Sequence, residues 1–421
     1  MLGAEKTRLQ VFHPNTKDQN DLLVADAENP IVIDGKAIPF SDSAEHVGVT
    51  RSICGNGPAI FARFSAHRKA LGALLHQGIA KGHRANPCFS LKVVQLYATP
   101  VLFSGLGALI LSSKEAESVE THYRETLRQI LRLQKGTPRC VIYFMAGSLP
   151  GIALLHLRQL SILGMISRLP DNILNKHAMN IFSFSTIAKK SWFHQIRHVC
   201  LIYDLPHPSI LLQRPLSKFS FKKLTKSRVI SYWENKLRNE ASGLKSTSFF
   251  NCNFMSLTKV HPLFSTAGHS SVNVARSLVQ SVMLSGRYRC GALLRHWKKD
   301  YDGCCLISAQ CQGQLEDITH ILQLCRATSD TRESLTIFTR AYSLNLPDIL
   351  RDLLVDLCHP NSKFYCQFLL DCSSIPAVIS ASQILGESFV LDQLFYISRI
   401  WVYAIHRERL KKLGTWKRQN F

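Results

Sequence analysis

Ser112 to Gly136 reads SSKEAESVETHYRETLRQILRLQKG, and its pattern sets the character of the chain. Ser112 with Glu115 three residues on has the form of a capping box, in which hydroxyl and carboxylate satisfy backbone N–H groups that a helix start leaves free. Val119, Tyr123, Leu127 and Leu131 then recur at helical spacing, and Gly136 supplies a stop. The spacing predicts a helix over about 114–135 with one buried stripe. Arg124, Arg128 and Arg132 form a neighbouring basic stripe at four-residue intervals, either a solvated face or a surface toward a polyanion.

Working outward, the same periodicity governs most of the chain. AIFARFSAHRKALGALL (Ala59 to Leu75) predicts a helix ending near Gly78, followed by a basic turn at Lys81, His83 and Arg84. Two stretches, Val93 to Ser113 and Val141 to Leu157, carry no Asp, Glu, Lys or Arg. Their prolines, glycines and hydroxyl residues favour buried core helices over membrane spans, so no membrane partner is expected. The first 55 residues differ. Arg8 to Phe12 reads as a strand, IVIDGKAIPF (Ile31 to Phe40) places Asp34-Gly35 between two apolar runs as a hairpin turn, and Glu45 to Val49 reads as a third strand. The expected fold class is mainly α-helical with a small N-terminal α+β segment.

With 421 residues and 46% hydrophobic content, the chain can bury real cores. Lys+Arg number 51 against 29 Asp+Glu, a formal charge of +22, which favours polyanionic partners. Charged residues amount to only 19%, below the usual ~25%, so the excess comes from scarce acids and not from a disordered basic tail. Thirteen irregularly spaced cysteines read as reduced thiols, and MLGAEKTRLQ has no apolar core of a signal peptide. The expected location is intracellular, cytoplasmic or nuclear.

Between Lys189 and Arg228 lie nine basic residues (Lys189, Lys190, Arg197, Arg214, Lys218, Lys222, Lys223, Lys226, Arg228) against one acid, Asp204. Trp192, Phe193, Phe219 and Phe221 interleave with them. Cations neutralise phosphates and aromatic faces stack unpaired bases, so Lys189, Lys190, Trp192, Arg197, Lys218, Phe221, Lys222, Lys223, Lys226 and Arg228 are candidate nucleic-acid contacts. Proline and serine here suggest a partly ordered linker. Shorter basic stretches follow at 286–299 and in the tail at 406–418.

The most specific chemical pattern is Cys305-x5-Cys311-x8-His320-x4-Cys325, with Cys304 as a substitute first ligand. Three thiolates and an imidazole form a usual tetrahedral zinc set, although unrelated thiols in a cysteine-rich chain give the same spacing. Nucleotide-binding and hydrolase signatures are missing. Gly105-Leu106-Gly107 lacks a third glycine and a P-loop lysine, and reads as close packing inside an apolar helix.

Taken in order, these strings resemble the C-terminal part of non-LTR (LINE-type) retrotransposon reverse transcriptases. GAEKTRLQVF (Gly3 to Phe12) is similar to the segment after the YxDD motif, and IDGKAIPFSDSAEHVGV (Ile33 to Val49) to the following hairpin and primer grip, with Glu45 to Val49 where many relatives read KYLGV. YATPVLFSGLGALILS, MAGSLPGIALLHLRQLSILGMI, SGRYR, the Cys/His stretch, FLLDCSSIPAVI and FYISRIWVYAIHRERLKKLG look like thumb and tail. The resemblance implies a palm-end remnant (1–55), a helical thumb-like domain (56–188), a basic linker and helical region (189–300), a zinc-knuckle-like segment (301–330) and a C-terminal helical region with a basic tail (331–421).

It further implies Zn at Cys305, Cys311, His320 and Cys325, and RNA, single-stranded DNA or an RNA–DNA hybrid as partner. Lys6 matches the lysine that protonates leaving pyrophosphate in the family. No YxDD stands in this sequence, so the Mg²⁺ of the intact polymerase has no carboxylates to hold it here and the chain is expected not to polymerise by itself. A host adaptor reusing the fragment and a decayed element are the alternative readings.

Overall fold

The computed structural model describes 55–76, 85–171, 191–244, 247–297, 302–305, 307–311 and 313–420, with parts of 32–52 and 173–179. Strands β1 (Val32–Ile33) and β2 (Lys36–Ala37) are antiparallel, in the register Val32 opposite Ala37 and Ile33 opposite Lys36. Asp34 and Gly35, where the sequence places the turn, lie outside the described residues. The expected third strand is corrected to a second hairpin, β3 (Ser43–His46) with β4 (Val49–Ser52), in which His46 pairs with Val49. Val47 and Gly48, between these strands, lie outside the described residues. Arg8 to Phe12, Lys6 and the chain's other residues before Val32 lie outside the described residues.

The rest is helical. In chain order come α1 (Gly57–His76), α2 (Pro87–Phe103), α3 (Ser113–Ile130), α4 (Arg139–Ala146), α5 (Gly151–Ser167), α6 (Trp192–Ile202), α7 (Pro208–Gln213) and α8 (Lys218–Ser242). They continue with α9 (Pro262–Ser265), α10 (Ser271–Leu284), α11 (Gly291–Trp297), α12 (Ser329–Ser343), α13 (Asp348–Leu357), α14 (Tyr365–Leu370), α15 (Pro376–Leu385) and α16 (Glu387–Asn420). The described part of 189–228, expected as a partly ordered linker, is thus mostly helix. His207-Pro208 and Ser217 start helices there: the His207 imidazole accepts from Ser209 N, and the Ser217 hydroxyl accepts from Ser220 N.

The capping box at Ser112 forms as read, with Ser112 N donating to Glu115 Oε2 (2.7 Å) and Glu115 N donating to Ser112 Oγ (3.3 Å). Val119, Tyr123, Leu127 and Leu131 are all buried. The helix ends at Ile130, before the expected 135, because Arg132 adopts a positive φ of 53° and turns the chain. Arg128 folds back to Glu125 (2.7 Å) and to the Leu133 carbonyl (2.8 Å), so this part of the basic stripe is engaged within the fold.

Two compact units are each assembled from three separate stretches of chain. In the first (1–73, 94–123, 151–229), α5 packs against α6, α7 and the turn Leu106–Ala108. Gly107 is needed for this: a Cβ there would sit 2.9 Å from the Arg158 Cβ. The Gly105–Gly107 stretch lies just beyond the end of α2, where Leu106–Ala108 forms a 3-10 turn, and its role in close packing stands. Glu120, buried, accepts from Ile152 N (3.0 Å) at the start of α5.

In the second unit (74–93, 124–150, 230–421), α16 is the central element, contacted by α10, α12, α14 and α15. Trp401 packs edge-on against Tyr365 and donates its indole N–H to Thr339 Oγ1 (2.9 Å). Buried Gln280 donates to the Leu369 carbonyl (2.7 Å) and so satisfies the end of α14 inside the core. By length and composition Pro87–Ala108 is apolar enough to cross a membrane, and α4 with α5 passes the same test only as a broken pair.

At Gly147 the chain leaves α4 with φ 56°, and a Cβ would stand 2.2 Å from the Lys259 carbonyl carbon. The Lys259 carbonyl and the Val260 nitrogen, 2.4 Å away, are backbone and cannot swing aside. Gly147→Ala is expected to cost about 3 kcal/mol or more, combining left-handed strain with overpacking, read as a lowered urea midpoint at unchanged slope. A change under about 0.5 kcal/mol would contradict this close approach.

Candidate metal centre and basic surface

Cys305, Cys311, His320 and Cys325 converge into one buried cluster, each offering a ligand atom within 4.8 Å of every other. Local backbone chemistry builds it. Gly303 to Cys305 runs antiparallel to Gln314 to Glu316, with Cys305 N donating to Gln314 O (3.0 Å) and Glu316 N to Gly303 O (2.9 Å). In this extended stretch adjacent side chains face opposite ways, so Cys305 enters the cluster while Cys304 does not. Cys311 sits in a 3-10 turn between these two arms, its N–H donating to Ser308 O (3.0 Å).

Asp317 accepts from His320 N (2.7 Å) and starts the turn that carries the imidazole. Residues His320–Leu324 then wind as a single π-helical turn, closed by Cys325 N donating to His320 O (2.7 Å). One-turn π segments recur at functional positions because they re-aim a side chain without ending the helix. Here the winding brings His320 and Cys325 to the same cluster.

The Cys305 and Cys325 sulfurs are 3.9 Å apart, and Arg326 N donates to the Cys311 sulfur (3.3 Å). A proton shared from the Cys325 thiol, opposed by burial and aided by His320 and the Ile307 backbone, holds Cys305 down to about 4 and raises Cys325. Elsewhere burial pushes the thiols of Cys200, Cys252, Cys358 and Cys366 up to about 12. Cys305 is therefore held toward the thiolate by its neighbours in the cluster, whereas the structural cysteines are held as thiols by burial. The His320 Nε2 is buried without a hydrogen-bond partner.

A metal fits these groups on chemical grounds. Tetrahedral zinc bound by thiolates at about 2.3 Å implies sulfurs roughly 3.8 Å apart, close to the separation seen. A buried orphan imidazole nitrogen also costs free energy unless something takes up its lone pair or its proton. Behind the cluster stands a buried ion pair. Arg409 of α16 donates twice to Glu316, at 3.0 and 2.8 Å, while Gly291 N donates to the same carboxylate (2.8 Å) and Tyr288 lies under the guanidinium. Lys412 donates to the Ala327 carbonyl (2.6 Å). Two cations of the basic tail are thus tied to the cluster's own segment.

The second candidate surface lies in the first unit. Lys218, Lys222, Lys223 and Lys226 are exposed on α8, and among the described residues none pairs with a carboxylate. Arg228 bridges Asp204 (3.1 Å) at the surface, and Arg197 lies on α6. Lys189 and Lys190 lie outside the described residues.

The aromatics need correction as stacking groups. Phe221 is buried at 5% exposure and Phe193 at 4%, and the Trp192 indole donates to the Gly107 carbonyl (2.8 Å). Phe219, 77% exposed, alone of the four presents a free ring. Helical periodicity explains the outcome: 218, 222 and 226 lie on one face, while 221 and 225 turn inward. Sequence reading also missed Arg158 and Arg168, which reach the same surface from α5 and its end, because isolated arginines in an apolar run carry no pattern. No protein-family model, curated protein or solved structure matches the chain.

Proposed function

We propose that the chain is the nucleic-acid-binding C-terminal portion of a non-LTR retrotransposon reverse transcriptase, in which Zn²⁺ held by Cys305, Cys311, His320 and Cys325 braces a knuckle-like segment. Its ligand is RNA, single-stranded DNA or an RNA–DNA hybrid, bound with little sequence preference. The observation that carries this reading is the exposed row Lys218, Lys222, Lys223 and Lys226, uncompensated by any carboxylate among the described residues. Surface lysines without acids create a field that a phosphate backbone neutralises with release of counterions. The ordered resemblance of the hairpin, thumb-like and Cys/His strings supports the family. Three thiols and an imidazole brought together inside the protein support zinc, whose role in such a closed set is to cross-link the fold.

If about five phosphates are bound, log K for a single-stranded oligonucleotide falls with log salt at a slope of roughly −3.5. Replacing Lys218, Lys222, Lys223 and Lys226 together by Gln is expected to flatten that slope by about 0.7 for each phosphate no longer neutralised. Fluorescence anisotropy across a salt series reads both quantities. Unchanged affinity and slope in the quadruple variant, or preference for anionic vesicles over RNA at equal ionic strength, would overturn the reading.

A further inference from the structure

A cavity of about 420 Å³ opens beside the lysine row, within the first unit. Its floor is apolar, formed by Phe103, Leu154, Leu157 and Phe221. Its rim carries five cations, Arg158, Arg168, Lys218, Lys222 and Lys226, and no acid lines it. One of the Arg168 guanidinium nitrogens, Nη1, is buried without a hydrogen-bond partner. Gly164 keeps this arrangement open: a Cβ there would lie 2.5 Å from the Phe221 ring and 3.3 Å from that same Nη1. A charged donor buried without an acceptor is costly, and five converging cations repel one another unless an anion sits among them.

An apolar floor with a cationic rim selects a ligand that is itself amphipathic, with a flat or apolar body and an anionic group. The volume falls in the range of small-molecule sites, enough for one nucleotide unit. The rim is also a row: at 1.5 Å rise per residue, Lys218, Lys222 and Lys226 stand about 6 Å apart along α8, which suits successive charges along a strand better than one isolated head group. We infer that this cavity receives a single unpaired nucleotide of a bound strand, its base on the apolar floor and its phosphate between Arg168 and the lysines, with Ser161 offering a hydroxyl at the rim. The inference rests on the nucleic-acid reading above and narrows it to a place.

The test uses the full chain and a single-stranded oligouridylate carrying one 4-thiouridine, irradiated and mapped by peptide mass spectrometry. The expected cross-link falls within 99–103, 154–168 or 218–226, and UMP suppresses it while uridine does not. Arg168→Gln is expected to lower oligonucleotide affinity about tenfold, as removal of a charge-assisted hydrogen bond does, and to abolish the cross-link. Should that variant be unstable, Lys218→Gln with Lys226→Gln alters only exposed side chains and is expected to abolish the cross-link equally. Lys223→Gln, which does not line the cavity, should flatten the salt slope and keep the cross-link. A cross-link elsewhere with binding intact overturns the cavity assignment and leaves the general reading standing. Absence of any oligonucleotide binding overturns both, and phosphatidic acid vesicles displacing the probe from this cavity where UMP fails would transfer the site to a lipid phosphate.

Discussion

About one equivalent of zinc is expected in the purified chain, and Cys311→Ser combined with His320→Ala is expected to remove it. Closed Cys₃His sites bind zinc with an apparent free energy on the order of 10 kcal/mol, nearly all of it realised as local folding. The loss should therefore expose 303–328 to amide exchange, since the antiparallel arms, the 3-10 turn and the π-helical turn each make few backbone bonds of their own. Cys304→Ser provides the control. Cys304 lies outside the cluster, so its variant should retain the metal. Elemental analysis and hydrogen exchange on the three proteins decide the matter: metal-free wild type, or equal metal in all three, defeats the assignment.

Glu316→Gln is expected to destabilise the second unit by about 3–5 kcal/mol, the usual cost of leaving one member of a buried ion pair without its partner. The Glu316 and Arg409 side chains are only 1% and 6% exposed, so water cannot replace the missing charge. The single amide oxygen of Gln can occupy only one of the two carboxylate positions, so either Arg409 Nε or the Gly291 N–H faces an NH₂ group, in a place where the backbone oxygen of Gly303 lies within 2.3 Å of where a Gly291 Cβ would be and leaves no room for repair. Arg409→Met should cost a similar amount. Combining Arg409→Met with Glu316→Leu should recover much of the loss, because neither charge is then stranded. Urea unfolding of Glu316→Leu, Arg409→Met and their combination reads this cycle, with Glu316→Gln beside it. Single variants within about 1 kcal/mol of wild type would show that the pair is not buried in solution.

Much of the architecture follows from local pattern. The Ser112 and Glu115 box, the Val119 to Leu131 stripe, the β1–β2 hairpin around Asp34-Gly35 and the identity of the four cluster residues all come from interactions within a few residues, or from one residue type recurring at a fixed spacing. The β3–β4 hairpin was less legible. In sequence Glu45 to Val49 alternates like one strand, and only the pairing partner reveals that the chain reverses between His46 and Val49. The end of α3 escaped for a related reason, since Arg132 at positive φ is a rare choice that packing imposes.

What the sequence determined by itself is therefore the helical class, the excess of positive charge and a Cys/His set of the right chemistry, because each is a property of composition or of short-range spacing. Tertiary structure alone decided which neighbour of a pair is used. It put Cys305 and not Cys304 in the cluster, turned Phe221 and Phe193 into the core while leaving Phe219 exposed, and brought Arg158 and Arg168 to the lysines of α8 around one cavity. The physical reason is that a one-residue step reverses a side chain's direction on an extended strand and rotates it by a large angle on a helix, so burial is settled by what packs against each face.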